Sequence, residues 1–417
     1  MPDDANDDPR NNRVAAGGQH EVSLSIAEGM AGIDRESWNA VANPAGLPYD
    51  PFLDWDFLEA LEATGCASPH TGWTPRHILV RDTEGHLLGA APVYVKPHSR
   101  GEFVFDHAWA DALERAGGRY YPKLLCAVPF TPATGRRLLA LTGPHELAVK
   151  RLLIETAIQL CQTSNLSSAH FNFLGTDDAT LAESVGLLPR TDQQYHWFNR
   201  GYQSFDDFLG ALSSRKRKML RKERAAAESD VTIKRLSGPD LRTEHWDAFF
   251  KFYMNTGNRK WGSPYLNRDF FQLLHERIAH RVLLVLAYND GEPIAGALNL
   301  IGSDTLYGRY WGRTVDIPFL HFEVCYYQAI EHAIDAKLDR VEAGAQGDHK
   351  LARGYEPVTT RSAHWIAHPG LREAVARYLD SEREMVEDNI ETLAAYTPFR
   401  KDARSLEEAA RNAEEEF

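Results

Sequence analysis

Apolar residues along this chain fall into two patterns: short continuous or alternating runs that predict strands, and i, i+3, i+4 stripes that predict helices. The first elements so predicted are a strand over Val22–Ile26, a helix over Asp34–Ala42, a loop over Pro44–Pro51 and a helix over Asp54–Thr64. In that second helix Trp55, Leu58 and Leu61 share one face, and acids occupy the first turn, where the helix dipole favours them. His77–Arg81 and Leu87–Val95, joined across Thr83-Glu84-Gly85-His86, predict a hairpin. Leu283–Tyr288 and Ile294–Ile301, joined across Asn289-Asp290-Gly291-Glu292, repeat that plan in the second half of the chain. Each second strand carries a Gly-Ala pair, Gly89-Ala90 and Gly296-Ala297.

The repetition sharpens at the end of each half. Gly186, Pro189, Thr191, His196 and Trp197 match Gly354, Pro357, Thr359, His364 and Trp365 at identical spacing, a G-x-x-P-x-T-x-x-x-x-H-W pattern used twice. An amphipathic helix and a strand precede each copy, Glu146–Gln162 then Ala169–Leu174, and His321–Leu338 then Arg340–Ala343. A duplicated unit of hairpin, strand, helix, strand, short helix and closing strand gives an α/β (α+β) fold, two domains each with a mixed, mostly antiparallel sheet flanked by helices. The boundaries read from this pattern are a disordered leader (1–20), a first domain (21–200), a basic linker helix (201–230), a second domain (231–370), and a C-terminal helix with an acidic tail (371–417). The linker is expected as one helix over Phe205–Glu228, capped by Ser204, and the last helix over Leu371–Leu393.

Composition agrees with two cores in one chain. There are 417 residues, 43% hydrophobic and 25% charged, the balance of an ordinary globular protein. The longest apolar runs are strand length, so no membrane span is expected. The polar start, rich in Asp and Asn, has neither the apolar core of a secretory signal nor the Arg-rich, acid-poor character of a transit peptide, which leads to an expected cytoplasmic location. Cys66, Cys126, Cys161 and Cys325 are too scattered for a disulfide framework or a structural metal site, and no metal is expected. The net charge of −13 disfavours general nucleic-acid binding, but Arg215–Arg224 holds seven bases and one acid. That stretch is read either as an anion-binding stripe, with tRNA as a possible partner, or as a solvated helix paired with the acidic remainder.

Three blocks add a resemblance. Tyr120-Tyr121-Pro122-Lys123 through Ala127-Val128-Pro129-Phe130-Thr131-Pro132, then Ser214-Arg215-Lys216-Arg217-Lys218, and then Glu342-Ala343-Gly344-Ala345-Gln346-Gly347 with His349-Lys350 resemble a bacterial family of FemAB-like N-acyltransferases. The resemblance covers roughly Asn43 to Met385, and the closing "Gly-aromatic-x-Pro" segment of the second unit resembles the second half of the GNAT acetyltransferase fold. It implies two tandem GNAT-like domains and transfer of an acetyl or aminoacyl group from an activated donor, first acyl-CoA, to a primary amine. One alternative is a FemAB-type aminoacyl-tRNA-dependent transfer to peptidoglycan-precursor or peptide amines, and a second is a non-catalytic recognition module on the same fold. Neither half carries the Arg/Gln-x-x-Gly-x-Gly/Ala phosphate loop of ordinary GNAT enzymes.

Acyl transfer to an amine requires a base, donors for a tetrahedral oxyanion and aligned substrates. In the second half Glu342 and His349 are the candidate bases, His349 as it stands and Glu342 the better one if burial raises its pKa, with Glu323 and His321, at the start of the preceding helix, near enough to assist; Glu323 is expected to orient His349. Gln346, Gly347 and Lys350 are candidates for binding the donor or the oxyanion at a helix start. In the first half Thr131, Thr134, Gly135, Arg136 and Arg137 form a small-residue turn with two cations, suited to the phosphates of coenzyme A. Asp106, His107 and Tyr121 lie in a polar, aromatic insertion, Tyr310 and Trp311 end a strand, and Arg215, Lys216, Arg217 and Lys218 open the basic stretch; all are candidate substrate contacts.

Overall fold

The computed structural model describes residues 12–16, 20–259, 264–344 and 347–400. In the first half the strands are β1 (Asn12–Ala16), β2 (His20–Ala27), β3 (Thr74–Pro75), β4 (His77–Arg81), β5 (Leu87–Ala91), β6 (Val93–Lys96), β7 (Lys123–Cys126), β8 (Leu139–Ala140), β9 (Ser168–Leu174) and β10 (Leu188–Phe198). The second half contributes β11 (Thr232–Leu236), β12 (Val282–Asn289), β13 (Glu292–Ile301), β14 (Thr305–Arg313), β15 (Arg340–Glu342) and β16 (Glu356–Ile366). The α-helices among the described residues are α1 (Arg35–Ala42), α2 (Trp55–Ala63), α3 (His107–Arg115), α4 (Glu146–Thr163), α5 (Thr176–Ser184), α6 (Phe205–Ala211), α7 (Ser214–Ala227), α8 (Thr243–Arg259), α9 (Arg268–Ile278), α10 (Leu320–Phe322), α11 (Gln328–Asp335) and α12 (Pro369–Ala394).

A five-stranded sheet takes the order β1-β2-β4-β5-β8, and an eleven-stranded sheet spans both halves in the order β11-β12-β13-β14-β15-β10-β16-β9-β7-β6-β3. The repeated closing strands are exchanged. β10 ends the first unit yet pairs with β15 and β16, and β16 ends the second unit yet pairs with β9. In the β10–β16 ladder Asp192 pairs with Thr360, its own counterpart in the repeat, so a local two-fold axis passes between them. The repeated histidines are buried at this seam, His196 opposite Glu342 and His364 opposite His170.

One core cluster also crosses between the halves: Phe52 and Phe57 from the first pack on Tyr307 and Phe270 from the second, at ring distances of 4.9 and 5.7 Å. Each fully buried Phe contributes about 1.5–3 kcal/mol, so the two halves stabilise each other.

Four expectations change. The run Leu87–Val95 is two strands, because Pro92 cannot donate to a ladder and the chain switches sheets there, β5 pairing with β4 and β8, β6 with β3 and β7. The linker is two helices, α6 and α7, broken at Leu212, whose extended backbone lets Ser213 bond Pro398 and Leu212 bridge to Phe399. The helix over His321–Leu338 begins as α10, continues as a π-helical stretch Glu323–Tyr327 and only then becomes α11. Part of the leader is ordered: β1 pairs along β2 with Val14 opposite Val22. The acidic tail beyond residue 400 lies outside the described residues.

Candidate active site

β14 and β15 run parallel for three residues, from Thr305 opposite Arg340 to Tyr307 opposite Glu342. They then part, because β15 stops while β14 runs on through a bulge. Leu298 stands opposite Tyr310 and Asn299 opposite Gly308, leaving Arg309 as the extra residue; a bulge of this kind bends the strand and takes backbone groups out of the ladder. Its guanidinium reaches across to the Phe130 carbonyl of the first half.

A cleft of about 910 Å³ opens in the gap. Its walls include Leu298, Tyr253 and Tyr310 from the core on one face of the sheet and Ala297, Trp311, Cys325, Tyr326 and Ala343 from the core on the other. The cleft therefore passes through the sheet. The first half closes it with Pro132 and the segment from Ser99 to His107. The corresponding opening between β7 and β9 is filled by the chain itself, with Arg137 buried and Gly135 bridging to Leu174.

Among its described residues the cleft wall holds no Asp or Glu, while Arg100, Arg309, Lys350, His107, His321 and His349 line it. In a chain of net charge −13, this gathers the cationic side chains of Arg100, Arg309 and Lys350 on one wall.

Of the residues singled out from sequence, His107, Tyr310, Trp311, His321, Gly347, His349 and Lys350 meet in this cleft. His349 is exposed to it; its Nε2 lies 3.0 Å from the Tyr326 hydroxyl, and its ring centre is 6.1 Å from that of His321. Gly347 is required beneath that ring: its φ is +112°, and a Cβ there would come within 2.4 Å of the imidazole. Lys350, 2% exposed, donates to the Gly344 carbonyl at 2.8 Å, and burial, opposed by nearby Cys325, pulls its pKa down to about 8. The short 3-10 helix Asp348–Arg353 that carries both residues is braced from behind. Arg353 donates to the His349 carbonyl at 2.7 Å and makes a buried two-pronged pair with Glu223 of α7 at 2.8 and 2.9 Å, and Glu223 also accepts the Tyr327 hydroxyl.

Glu342 is placed differently. It is 4% exposed and lies behind the cleft wall, with its Oε2 3.8 Å from His196 Nε2, and neither atom has a hydrogen-bond partner among the described residues. Burial pushes its carboxyl up to about 8 against the pull of Arg340, and burial with Arg340 and Lys350 drives His196 down to about 3. Because the carboxyl ionises at 4.5 when exposed, its contribution to stability is full below pH 4.5 and is lost as pH rises toward 8. The slope is at most about 1.4 kcal/mol per pH unit. Glu342→Gln is therefore expected to flatten the dependence of the urea midpoint on pH across that window; an unchanged profile would mean that Glu342 is charged in the fold.

Other candidates are corrected by their contacts. Glu323 does not orient His349: it is fully buried in the π-helical stretch, held by Arg224 at 3.0 Å and Gln328 at 2.8 Å. Burial lifts its pKa to about 7 although Arg224 opposes this. The face it shares with Tyr327 and Glu331 is covered by α7, with Arg224 joining both carboxylates. Arg136 and Arg137 do not present a phosphate site, because Arg136 caps the Ala42 and Pro48 carbonyls and Arg137 is buried on the Ala133 carbonyl beside Asp50. Gly135 is closed by Asp50, Thr134 Oγ1 is buried, and Thr131 is 4% exposed with its hydroxyl on Pro129. Asp106 and Tyr121 sit behind the cleft wall, Asp106 on Lys123 and Tyr121 on Ser99. Arg215 and Lys218 are exposed on α7, with Lys216 and Arg217 half-buried, and none of the four makes an ion pair with the described residues. Gln346 lies outside the described residues. Sequence reasoning missed Arg100, Phe103, Phe105, Tyr253, Tyr265, Asn299 and Tyr326; only the strand exchange and the packing of the halves bring them to one cleft.

Two α/β units in tandem, fused through one sheet and sharing a cleft at the strand gap of the second, define the class of protein. The chain belongs to the FemAB-like family, described as peptidoglycan biosynthesis/recognition, which it matches over residues 29–401. Among solved structures it is similar to FemX, at 13% identity with a TM-score of 0.51, covering 82% of this chain and 98% of that one. A conserved protein of unknown function from Bacteroides thetaiotaomicron is similar at 10% identity and a TM-score of 0.50, covering 82% and 99% of the two chains. A tandem GNAT protein from the clavulanic acid biosynthesis pathway is similar at 11% identity and a TM-score of 0.46, covering 84% and 99%. At these identities the likeness is one of fold. No curated protein matches the chain. Family membership supports an acyltransferase role. No helix among the described residues is long and apolar enough to cross a membrane.

Proposed function

We propose that the protein is an N-acyltransferase that joins an activated acyl group to a primary amine in the cleft between its halves. The observation that carries this reading is the passage of the cleft through the sheet at the β14–β15 gap, which lets two reactants enter from opposite faces and meet beside His349. The amine enters along the Ser99–His107 wall, and the donor from the side of His321, Cys325 and Tyr326. His349 takes the proton of the attacking amine; the new C–N bond forms as the bond to the donor's sulfur or ribose oxygen breaks, and the proton passes to that leaving group. The Tyr326 hydroxyl is kept protonated by burial and stands ready to donate to the developing oxyanion. The family description makes a peptide or cell-wall precursor amine the first acceptor to test.

Acyl-CoA is the first donor to test. The second is an aminoacyl-tRNA, favoured by the four bases at the start of α7 that lack ion-pair partners among the described residues and by the engagement of Arg136 and Arg137 elsewhere. Seven helical residues, about 10 Å, separate Lys216 from Glu223, which braces the His349 helix.

The deciding experiment incubates the protein with acetyl-CoA or with charged tRNA and a panel of amines and looks for the amide by mass spectrometry. Product from one donor fixes the donor class; product from neither leaves the recognition-module reading standing. If tRNA is the donor, replacing Lys216, Arg217 and Lys218 with Gln lowers the slope of log K against log salt by up to about 0.9 for each phosphate that α7 no longer neutralises. An unchanged slope would remove α7 from the interface.

A further inference from the structure

The segment that walls the cleft on the first-half side has two sides. Ser99, Arg100, Gly101, Phe103, Phe105 and His107 line the cleft, whereas Glu102 and Asp106, 3% and 2% exposed, lie behind it. Lys123, buried at the start of β7, reaches three points of that one segment: Ser99 Oγ at 2.7 Å, Glu102 Oε2 at 2.6 Å and Asp106 Oδ2 at 2.5 Å. Tyr120 donates to the same Asp106 oxygen at 2.7 Å, and the Ser99 and Tyr121 hydroxyls are 2.9 Å apart. A second buried lysine, Lys96, lies over the Trp73 ring, donates to the Arg100 carbonyl at 3.2 Å and stands 4.0 Å from Glu102.

The charges explain why this arrangement persists. Burial disfavours the Lys123 ammonium, but Glu102 and Asp106 beside it hold it charged. Burial raises the Asp106 carboxyl, and Lys123 and His170 more than reverse this. The segment between β6 and α3 has no secondary structure of its own; besides these bonds it is held by Arg190, which donates to the Phe105 carbonyl at 2.8 Å, and by Phe103 packing on Tyr265.

We propose that Lys123 is a positioning residue: by hooking Ser99, Glu102 and Asp106 it fixes the acceptor-side wall, withdraws two carboxylates from the cleft and thereby sets the affinity for the amine. The proposal rests on the acyl-transfer reading given above. It also accounts for a cleft wall free of acids among its described residues yet built from a segment containing two.

Lys123→Met alone takes the ammonium from Asp106 and leaves Glu102 facing Lys96 at 4.0 Å, and can prevent folding. The test variant therefore combines Lys123→Met with Glu102→Gln and Asp106→Asn, and Ser99→Ala serves as a mild companion that keeps both ion pairs. Hydrogen exchange followed by mass spectrometry should show amides 99–106 exchanging about tenfold faster in the neutral variant, with β9 and β10 unchanged. With tyramine as the amine probe and acetyl-CoA as donor, KM for tyramine should rise about tenfold while kcat changes less, and Ser99→Ala should move KM by about threefold. Unchanged exchange in this segment would overturn the hook, and faster exchange with an unchanged KM would overturn its role in acceptor affinity. If the unaltered protein transfers to no amine from either donor, the acyl-transfer reading fails, and the exchange measurement still decides whether Lys123 holds the wall.

Discussion

Replacing His349 with alanine is expected to lower kcat/KM by about 10²–10⁴-fold, the range contributed by a positioned general base. His349 is exposed to the cleft and is held by Tyr326 on its ring and by Arg353 on its carbonyl. A base of this kind should also give the unaltered enzyme a pH–rate profile with an acidic limb, which the alanine variant loses. Glu342→Gln is the companion measurement. Glu342 is shut away from the cleft and uncharged at neutral pH, so its loss should affect the rate far less. Full activity in His349→Ala with lost activity in Glu342→Gln would reverse the assignment, and full activity in both would end it.

The largest effect on stability is expected from Arg353→Met. It leaves Glu223 buried, 7% exposed, with only the Tyr327 hydroxyl bonded to it among the described residues. Stranding a buried charge in this way costs about 3–5 kcal/mol. The double variant Arg353→Met with Glu223→Met removes both charges and should recover most of that loss, since apolar replacements of a buried pair are often neutral. Urea unfolding of the two single variants and the double variant measures the coupling directly. A coupling below about 0.5 kcal/mol would show that the pair adds nothing beyond its separate members. Arg353 also holds the His349 carbonyl, so the double variant should remain slow in catalysis after its stability recovers. Recovery of both together would separate α7 from the candidate site.

Much of the architecture was legible in local signals. The hairpins at His77 and Leu283, the helices at Glu146 and Pro369 and the duplicated closing motif all reflect spacing that a strand or helix must have to bury one face. The breaks at Pro92 and Leu212 were harder to place. Pro92 carries its own local signal, but that it moves the chain to a second sheet depends on the partners available on each side. Leu212 keeps the helical spacing of its neighbours and is pulled out of the helix by pairing with Phe399, far along the chain.

The sequence by itself determined the residue types and their local spacing: the repeated unit, the Gly-flanked His349-Lys350 turn and the aromatic end of β14. What only the tertiary structure decided is which of the charged groups face the cleft. Glu323, Arg136, Arg137 and Asp106 look as available as His349 along the chain, yet each is claimed by a partner remote in sequence. The exchange of β10 and β16 and the shared core bring those partners together. Burial then requires every charge inside to be paired or neutralised, which leaves the cleft to the histidines, Lys350 and the arginines of its wall.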